Sequence, residues 1–271
     1  MAQPPEPPTS VGLRYRRLLL KISGEALAGR SGFGIDPDAV AHVARTVDGV
    51  LDAGVEIAVV LGGGNLWRGA EARGIDRASA DHIGMLGTVM NALALQNALE
   101  QCDRSVRVHT AIEMRAVAEP YIRRRAIHQL EKGHVVVLAA GTGNPFFTTD
   151  TAAALRAMEL DCDVLVKATK VDGVYDVDPQ RHPNARRFET LTFSEALALG
   201  AGVMDLTAFT LCQENAMPII VLDLWSPGAI LAAVRGERVG TLVHAAGGAP
   251  LERAPRRMPA AAAIQGGPDD R

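Results

Sequence analysis

Short apolar runs rich in β-branched residues recur along this chain and alternate with amphipathic helical patterns, an order that neither an all-helical bundle nor a β-sandwich produces. The runs fall at residues 18–22, 55–61, 106–109, 135–138, 164–167, 219–222 and 241–243. They lack the polar alternation of a strand with one wet face, so they predict strands buried on both faces of a mostly parallel sheet. Between them, helices are expected over 37–54, where Asp36 caps and Pro37 takes the first helical position, and over 80–101, 119–132, 151–159 and 206–215. The expected fold class is therefore α/β, a mostly parallel central sheet sandwiched by helices.

Composition narrows what such a fold can do. The chain has 271 residues, of which 48% are hydrophobic but only 4% aromatic, which suits helices laid on one buried sheet. A single domain is expected over residues 13–244. The Pro-rich segment 1–12 and the low-complexity tail 245–271 are expected to be disordered. Lys and Arg total 28 against 31 Asp and Glu, a net charge of −3, so no general positive field would hold nucleic acid. Cys102, Cys162 and Cys212 are odd in number and far apart, which predicts neither a disulfide framework nor a zinc cluster and fits a reducing cytoplasm. No apolar run approaches the roughly 20 residues of a membrane span, and the N-terminus does not read as a signal peptide.

Ligands of open α/β sheets bind beyond the carboxyl ends of the strands, and four glycine- or charge-rich segments fall at such ends. The first is Lys21-Ile22-Ser23-Gly24-Glu25, in which a lysine inside an apolar strand calls for an anionic partner. It is either a phosphate contact or a plain strand exit. The second, Gly62-Gly63-Gly64, with Arg68 after it, allows either close approach of main chain to a bulky anion or a tightly packed turn.

The third segment combines the donors Thr142, Asn144, Thr148 and Thr149 with Gly143, Pro145 and the apolar walls Phe146 and Phe147, a mixture suited to a polar, ring-bearing ligand. Asp150 closes it, readable equally as a helix N-terminal acid and as a catalytic group. The fourth runs from Lys167 through Thr169 and Tyr175 to Asp178, where Tyr175 could stack on a base. Residues 24–31 imitate the Walker A spacing, but arginine replaces its lysine and glycines follow where a helix must begin. Trp67 occupies the third glycine of a dinucleotide fingerprint, so a nicotinamide cofactor is not expected. The chain has just four lysines, Lys21, Lys132, Lys167 and Lys170, and three lie in these segments, as if a compact ammonium were needed there.

Together, Lys-x-Ser-Gly-Glu, the triple glycine with Arg68, Asp81-His82-x-Gly84-Met85, the run from Thr142 to Asp150 and Lys167-Ala-Thr-Lys-Val-Asp-Gly resemble the bacterial UMP kinases of the amino-acid-kinase superfamily. The resemblance implies phosphoryl transfer from MgATP to UMP. It places ATP near Lys21, Ile22, Ser23, Gly24, Gly64 and Arg68, with its adenosine end near Thr169, Tyr175 and Asp178. It places UMP near Gly63, Asp81 and the eight residues Thr142, Gly143, Asn144, Pro145, Phe146, Phe147, Thr148 and Thr149. Asp81, expected at the mouth of a helix, would accept from a ribose hydroxyl, or serve only as a helix N-terminal acid.

By the same resemblance Lys21, Arg68, Asp150 and Asp205 are the catalytic candidates, Mg²⁺ arrives with ATP, and no protein metal ligand is named. A homo-hexamer, GTP activation and UTP inhibition are also implied, the GTP-linked loop being Gly29, Arg30, Ser31, Gly32, Phe33 and Gly34. An amino-acid kinase forming an acyl phosphate, or a non-catalytic oxoanion-storage protein, would share the fold. The Phe146-Phe147 loop argues against the first, and Lys21 and Arg68 argue against the second.

Overall fold

The computed structural model describes residues 12–68, 74–179, 181–182, 184–200 and 202–247. The segments expected to be disordered, 1–12 and 245–271, lie almost wholly outside the described residues.

Among the described residues nine strands form one sheet: β1 (Arg17–Ile22), β2 (Glu56–Leu61), β3 (Val106–Thr110), β4 (Glu119–Pro120), β5 (Val135–Ala139), β6 (Val164–Thr169), β7 (Thr190–Thr192), β8 (Ile219–Asp223) and β9 (Thr241–His244), in the order β4-β3-β5-β2-β1-β6-β8-β9-β7. Every pairing is parallel except β8 with β9. Among the described residues seven α-helices connect the strands: α1 (Pro37–Leu51), α2 (Arg77–Glu100), α3 (Arg123–Glu131), α4 (Thr149–Glu159), α5 (Phe193–Ala198), α6 (Leu206–Glu214) and α7 (Ala229–Val234). The expected α/β architecture is what the chain adopts.

The two-residue period of a strand divides the core into two layers. Leu18, Leu20, Ile22, Val164, Val166 and Ala168 face a layer built with α1, α2 and α7. Leu19 and Leu165 face the opposite layer, built with α3 to α6. Lys21 and Lys167 share the parity of Leu19 and Leu165, so both lysines emerge on the α4 side of the sheet.

Three boundaries differ from the sequence-based expectation. Helix α2 starts at Arg77, capped by Asp76, whose side chain accepts from the Ser79 amide. Asp81 therefore sits in the second turn and does not cap. Helix α3 starts at Arg123 because Glu119–Pro120 is drawn into a short edge strand beside β3. Helix α4 begins with Thr149, with Thr148 as its cap. Strands β4 and β7 and helices α5 and α7, each six residues or fewer, were too short to give a periodic signal.

Candidate active site

The glycine turn after β2 divides its labour. A Cβ on Gly62 would stand 2.8 Å from the Gly24 amide nitrogen, and one on Gly63 2.5 Å from the Gly84 carbonyl oxygen. Gly24 is equally confined, 2.5 Å from Asn65 Oδ1 and 2.6 Å from the Gly62 oxygen. These three glycines let the β1 exit, the β2 exit and α2 touch backbone to backbone. A Cβ on Gly64 would meet nothing within 4 Å. The open approach expected of all three glycines belongs to Gly64, and the packed-turn alternative describes Gly62 and Gly63.

A buried amide pair fastens the turn. Asn91 Nδ2 donates to Asn65 Oδ1 at 2.7 Å and to the Gly62 oxygen at 2.7 Å, while Asn65 Nδ2 donates to Asn91 Oδ1 at 3.0 Å and to the Gly34 oxygen at 2.7 Å. Gly34 returns its own amide to the Asn65 oxygen at 2.9 Å, which ties the loop of Gly29, Arg30, Ser31, Gly32, Phe33 and Gly34 to the same turn. Within that loop Ser31 Oγ donates locally, and the Phe33 ring is exposed.

On the other face lies a charge cluster. Lys21 and Lys167 are register partners on adjacent strands β1 and β6, a cross-strand like-charge pair that is destabilising by itself. Asp150, at the second position of α4, resolves it: its carboxylate lies 2.7 Å from Lys21 Nζ and 2.9 Å from Lys167 Nζ, and all three side chains are largely buried. Burial alone would raise the Asp150 carboxyl, but the two ammonium groups outweigh it and hold the group below its ordinary range. Burial also lowers Lys167, against the pull of Asp150, and Lys167 Nζ donates to the Val203 oxygen at 2.6 Å. Nearby Cys212 is pushed up to about 12 by burial and by the Asp150 and Asp205 charges, so it stays a neutral thiol.

Asp205 caps α6, accepting from the Ala208 amide at 3.0 Å, and braces α4 by accepting from Thr148 Oγ1 at 2.5 Å and Thr151 Oγ1 at 3.1 Å. Its oxygens are engaged in holding two helix N-termini together, which makes it a positioning group for Thr148 and Asp150. Lys167 was missing from the sequence-derived catalytic set. The scarcity of lysine, together with its place in a strand otherwise of apolar residues, was the signal that pointed to it.

Between the glycine turn and the α4 N-terminus opens a cavity of about 250 Å³. Of the predicted residues, Gly63, Gly64, Asp81, Thr142, Asn144, Phe147, Thr148 and Thr149 line it. Asp81 is held by Arg77 Nε at 2.9 Å and accepts from the Phe146 amide at 2.8 Å. That amide is presented by a left-handed backbone, φ 72° at Phe146, which turns the ring outward; the ring is 68% exposed and does not form the apolar wall expected of it. Gly143 has a left-handed backbone, φ 81°, and a Cβ there would stand 3.2 Å from Ala111. Arg77, Trp67, Met85 and Thr88 also line the cavity and were not anticipated. Thr88 supports its floor, Oγ1 accepting from the Ala140 amide at 2.7 Å.

The remaining predicted residues spread along the neighbouring strand exits. Ile22 ends β1 in the core, and Ser23 caps the following 3-10 turn Gly24–Leu27. Thr169 Oγ1 donates to the Val171 oxygen at 2.7 Å, closing the β6 exit. The Tyr175 hydroxyl donates to Asp172 at 2.6 Å, a bond that raises its pKa, and Asp178 pairs with Arg181 at 3.3 Å. Arg68 is bound by Glu25 in a close ion pair.

Fold and site define a class: an α/β protein whose mostly parallel sheet carries a buried lysine–aspartate–lysine cluster and an adjoining cavity at the carboxyl ends of its central strands. The chain belongs to the amino acid kinase family, whose model matches residues 16–223. It is 57% identical over 234 residues to the chloroplastic uridylate kinase PUMPKIN of Arabidopsis thaliana, covering 85% of this chain and 69% of that protein. Among solved structures it resembles UMP kinase from Bacillus anthracis, with TM-score 0.82 and 40% identity over 85% of this chain and 96% of that one. UMP kinase from Ureaplasma parvum follows, with TM-score 0.80 and 36% identity over 86% of this chain and all (100%) of the other.

Proposed function

We propose that this chain is a UMP kinase, transferring the γ-phosphoryl group of MgATP to UMP to give UDP and ADP in pyrimidine nucleotide metabolism. The observation that carries the reading is the buried Lys21–Asp150–Lys167 cluster beside the cavity, in a chain so close to uridylate kinases. Phosphoryl transfer through a loose transition state needs alignment and positive charge more than covalent help. Lys21 and Arg68, with main-chain amides at Gly24 and Gly64, supply that charge to ATP. Thr169, Tyr175 and Asp178 receive its adenosine end. Asp150 pairs with the two buried ammonium groups and aims them, and no histidine base is required.

UMP enters the cavity, its ribose against Asp81 and its base against the loop from Thr142 to Thr149. Hydrogen bonds to one edge of uracil discriminate strongly against cytosine, whose amino group reverses a donor and an acceptor. Mg²⁺ enters as part of the MgATP substrate. Mg²⁺ commonly binds through substrate phosphate oxygens with few protein carboxylates, so no protein ligand is assigned to it.

The finer reading is of a bacterial-type, cytoplasmic enzyme with its catalytic domain over residues 13–244, a homo-hexamer activated by GTP through the loop around Arg30 and inhibited by UTP. Among the described residues no helix is long and apolar enough to cross a membrane. The decisive assay is ADP release from MgATP with UMP, CMP, dCMP, GMP, glutamate or aspartate offered separately. Turnover with UMP well above all others is expected, and silence with UMP would overturn the proposal.

A further inference from the structure

Asp150 and Glu25 are counter-anions of opposite character. Asp150 is buried and shared by Lys21 and Lys167. Glu25 is 38% exposed at the mouth and is also shared: one oxygen pairs with Arg68 and the other lies 3.5 Å from Lys170 Nζ, both cations being more exposed than Glu25 itself. The three residues come from the loops leaving β1, β2 and β6, with β1 between the other two in the sheet. A carboxylate with one cation on each oxygen, at the exits of three adjacent central strands, occupies the position expected of a ligand phosphate.

We infer that Glu25 is an internal surrogate for a nucleotide phosphate. It holds Arg68 and Lys170 in place when no nucleotide is bound, keeps two exposed cations from repelling each other, and is displaced when the triphosphate arrives. The inference rests on the reading of Arg68 as an ATP-phosphate donor. Displacement is feasible because exposed ion pairs are individually weak, each worth about a twofold to fivefold factor in an equilibrium, whereas a triphosphate brings more charge and more acceptor oxygens. Glu25 thus lowers ATP affinity without touching the acceptor site, and it returns to its cations when the product nucleotide leaves.

The test is calorimetric binding of Mg²⁺ with a non-hydrolysable ATP analogue (AMP-PNP), of adenosine and of UMP, each to the full chain as wild type, Glu25→Gln and Glu25→Asp. Glu25→Gln is expected to bind AMP-PNP about three to ten times more tightly, with adenosine and UMP unchanged. Glu25→Asp, which keeps the charge, stays near wild type. In a Lys170→Gln background the gain from Glu25→Gln shrinks, because part of the grip has already gone. Unchanged or weaker AMP-PNP binding by Glu25→Gln, or a gain shared equally by adenosine, would overturn the surrogate role. Failure of the wild type to bind AMP-PNP at all defeats the kinase reading itself, a different outcome from the first.

Discussion

Replacing Asp150 by asparagine keeps the shape of the side chain and removes the charge that two lysines share. At 2.7 and 2.9 Å, each contact corresponds to about 6 kcal/mol of Coulomb energy at an effective dielectric of 20, most of it offset by the desolvation of the ions. What remains after substitution is two buried ammonium groups in register with no anion between them, and breaking a buried pair in this way costs about 3–5 kcal/mol. For a domain this size, with a slope near 3 kcal/mol per molar urea, the midpoint should fall by about 1 M or more. Turnover with UMP should fall by about two to three decades, because the lysines lose the carboxylate that aims them. Urea denaturation followed by circular dichroism, with coupled ADP release, reads both quantities. Adding Lys167→Met to Asp150→Asn removes one of the stranded charges and should recover part of the lost stability. Stability within about 1 kcal/mol of wild type together with turnover within tenfold would show that the cluster does not hold the site.

Two further outcomes follow from the same geometry. Gly63→Ala should destabilise by about 1–3 kcal/mol, since its methyl meets the Gly84 oxygen at 2.5 Å, whereas Gly64→Ala should melt like wild type and raise the KM of a nucleotide several-fold; equal melting temperatures would refute the division. Burial puts Lys167 below an ordinary lysine, so UMP kinase activity should fall on the alkaline side at a pH below about 10.4, while stability rises between the folded and unfolded values because the unfolded chain then binds the proton better. Parallel pH profiles of kcat and urea midpoint check the opposed slopes, and a common slope would refute them.

The central strands were legible because burial on both faces leaves an uninterrupted apolar run, as in the stretch that becomes β5, and because Asp36-Pro37 announces α1 unambiguously. The two-residue β4 and the α2 start were not, since Glu119–Pro120 becomes a strand only by lying beside β3, and Asp76 and Asp81 are equally acceptable caps until the chain is folded. In the site, the motifs were enough to single out Asp81, Thr142, Asn144, Phe147, Thr148 and Thr149, which the fold brings around one cavity. Residues whose role is set by a distant partner were not readable. The pairing of Lys167 with Asp150 needs its register with Lys21, Asn91 needs Asn65, and the Phe146 amide needs the Asp81 carboxylate. Tertiary placement made those assignments, and local sequence carries little of it.

The position of β1 in the sheet bears on how the enzyme is made. Strands β2 to β5 lie on one side of it and β6 to β9 on the other, so β1 is the seam where the earlier and later halves of the polypeptide join. Lys21 leaves the ribosome with the first half, Lys167 with the second, and Asp150 between them. During synthesis the first lysine must wait across well over a hundred residues for the strand and the carboxylate that complete it. The Lys21–Asp150–Lys167 cluster therefore comes into being only when the two halves close, and a chain interrupted before β6 can build half a sheet but not that cluster.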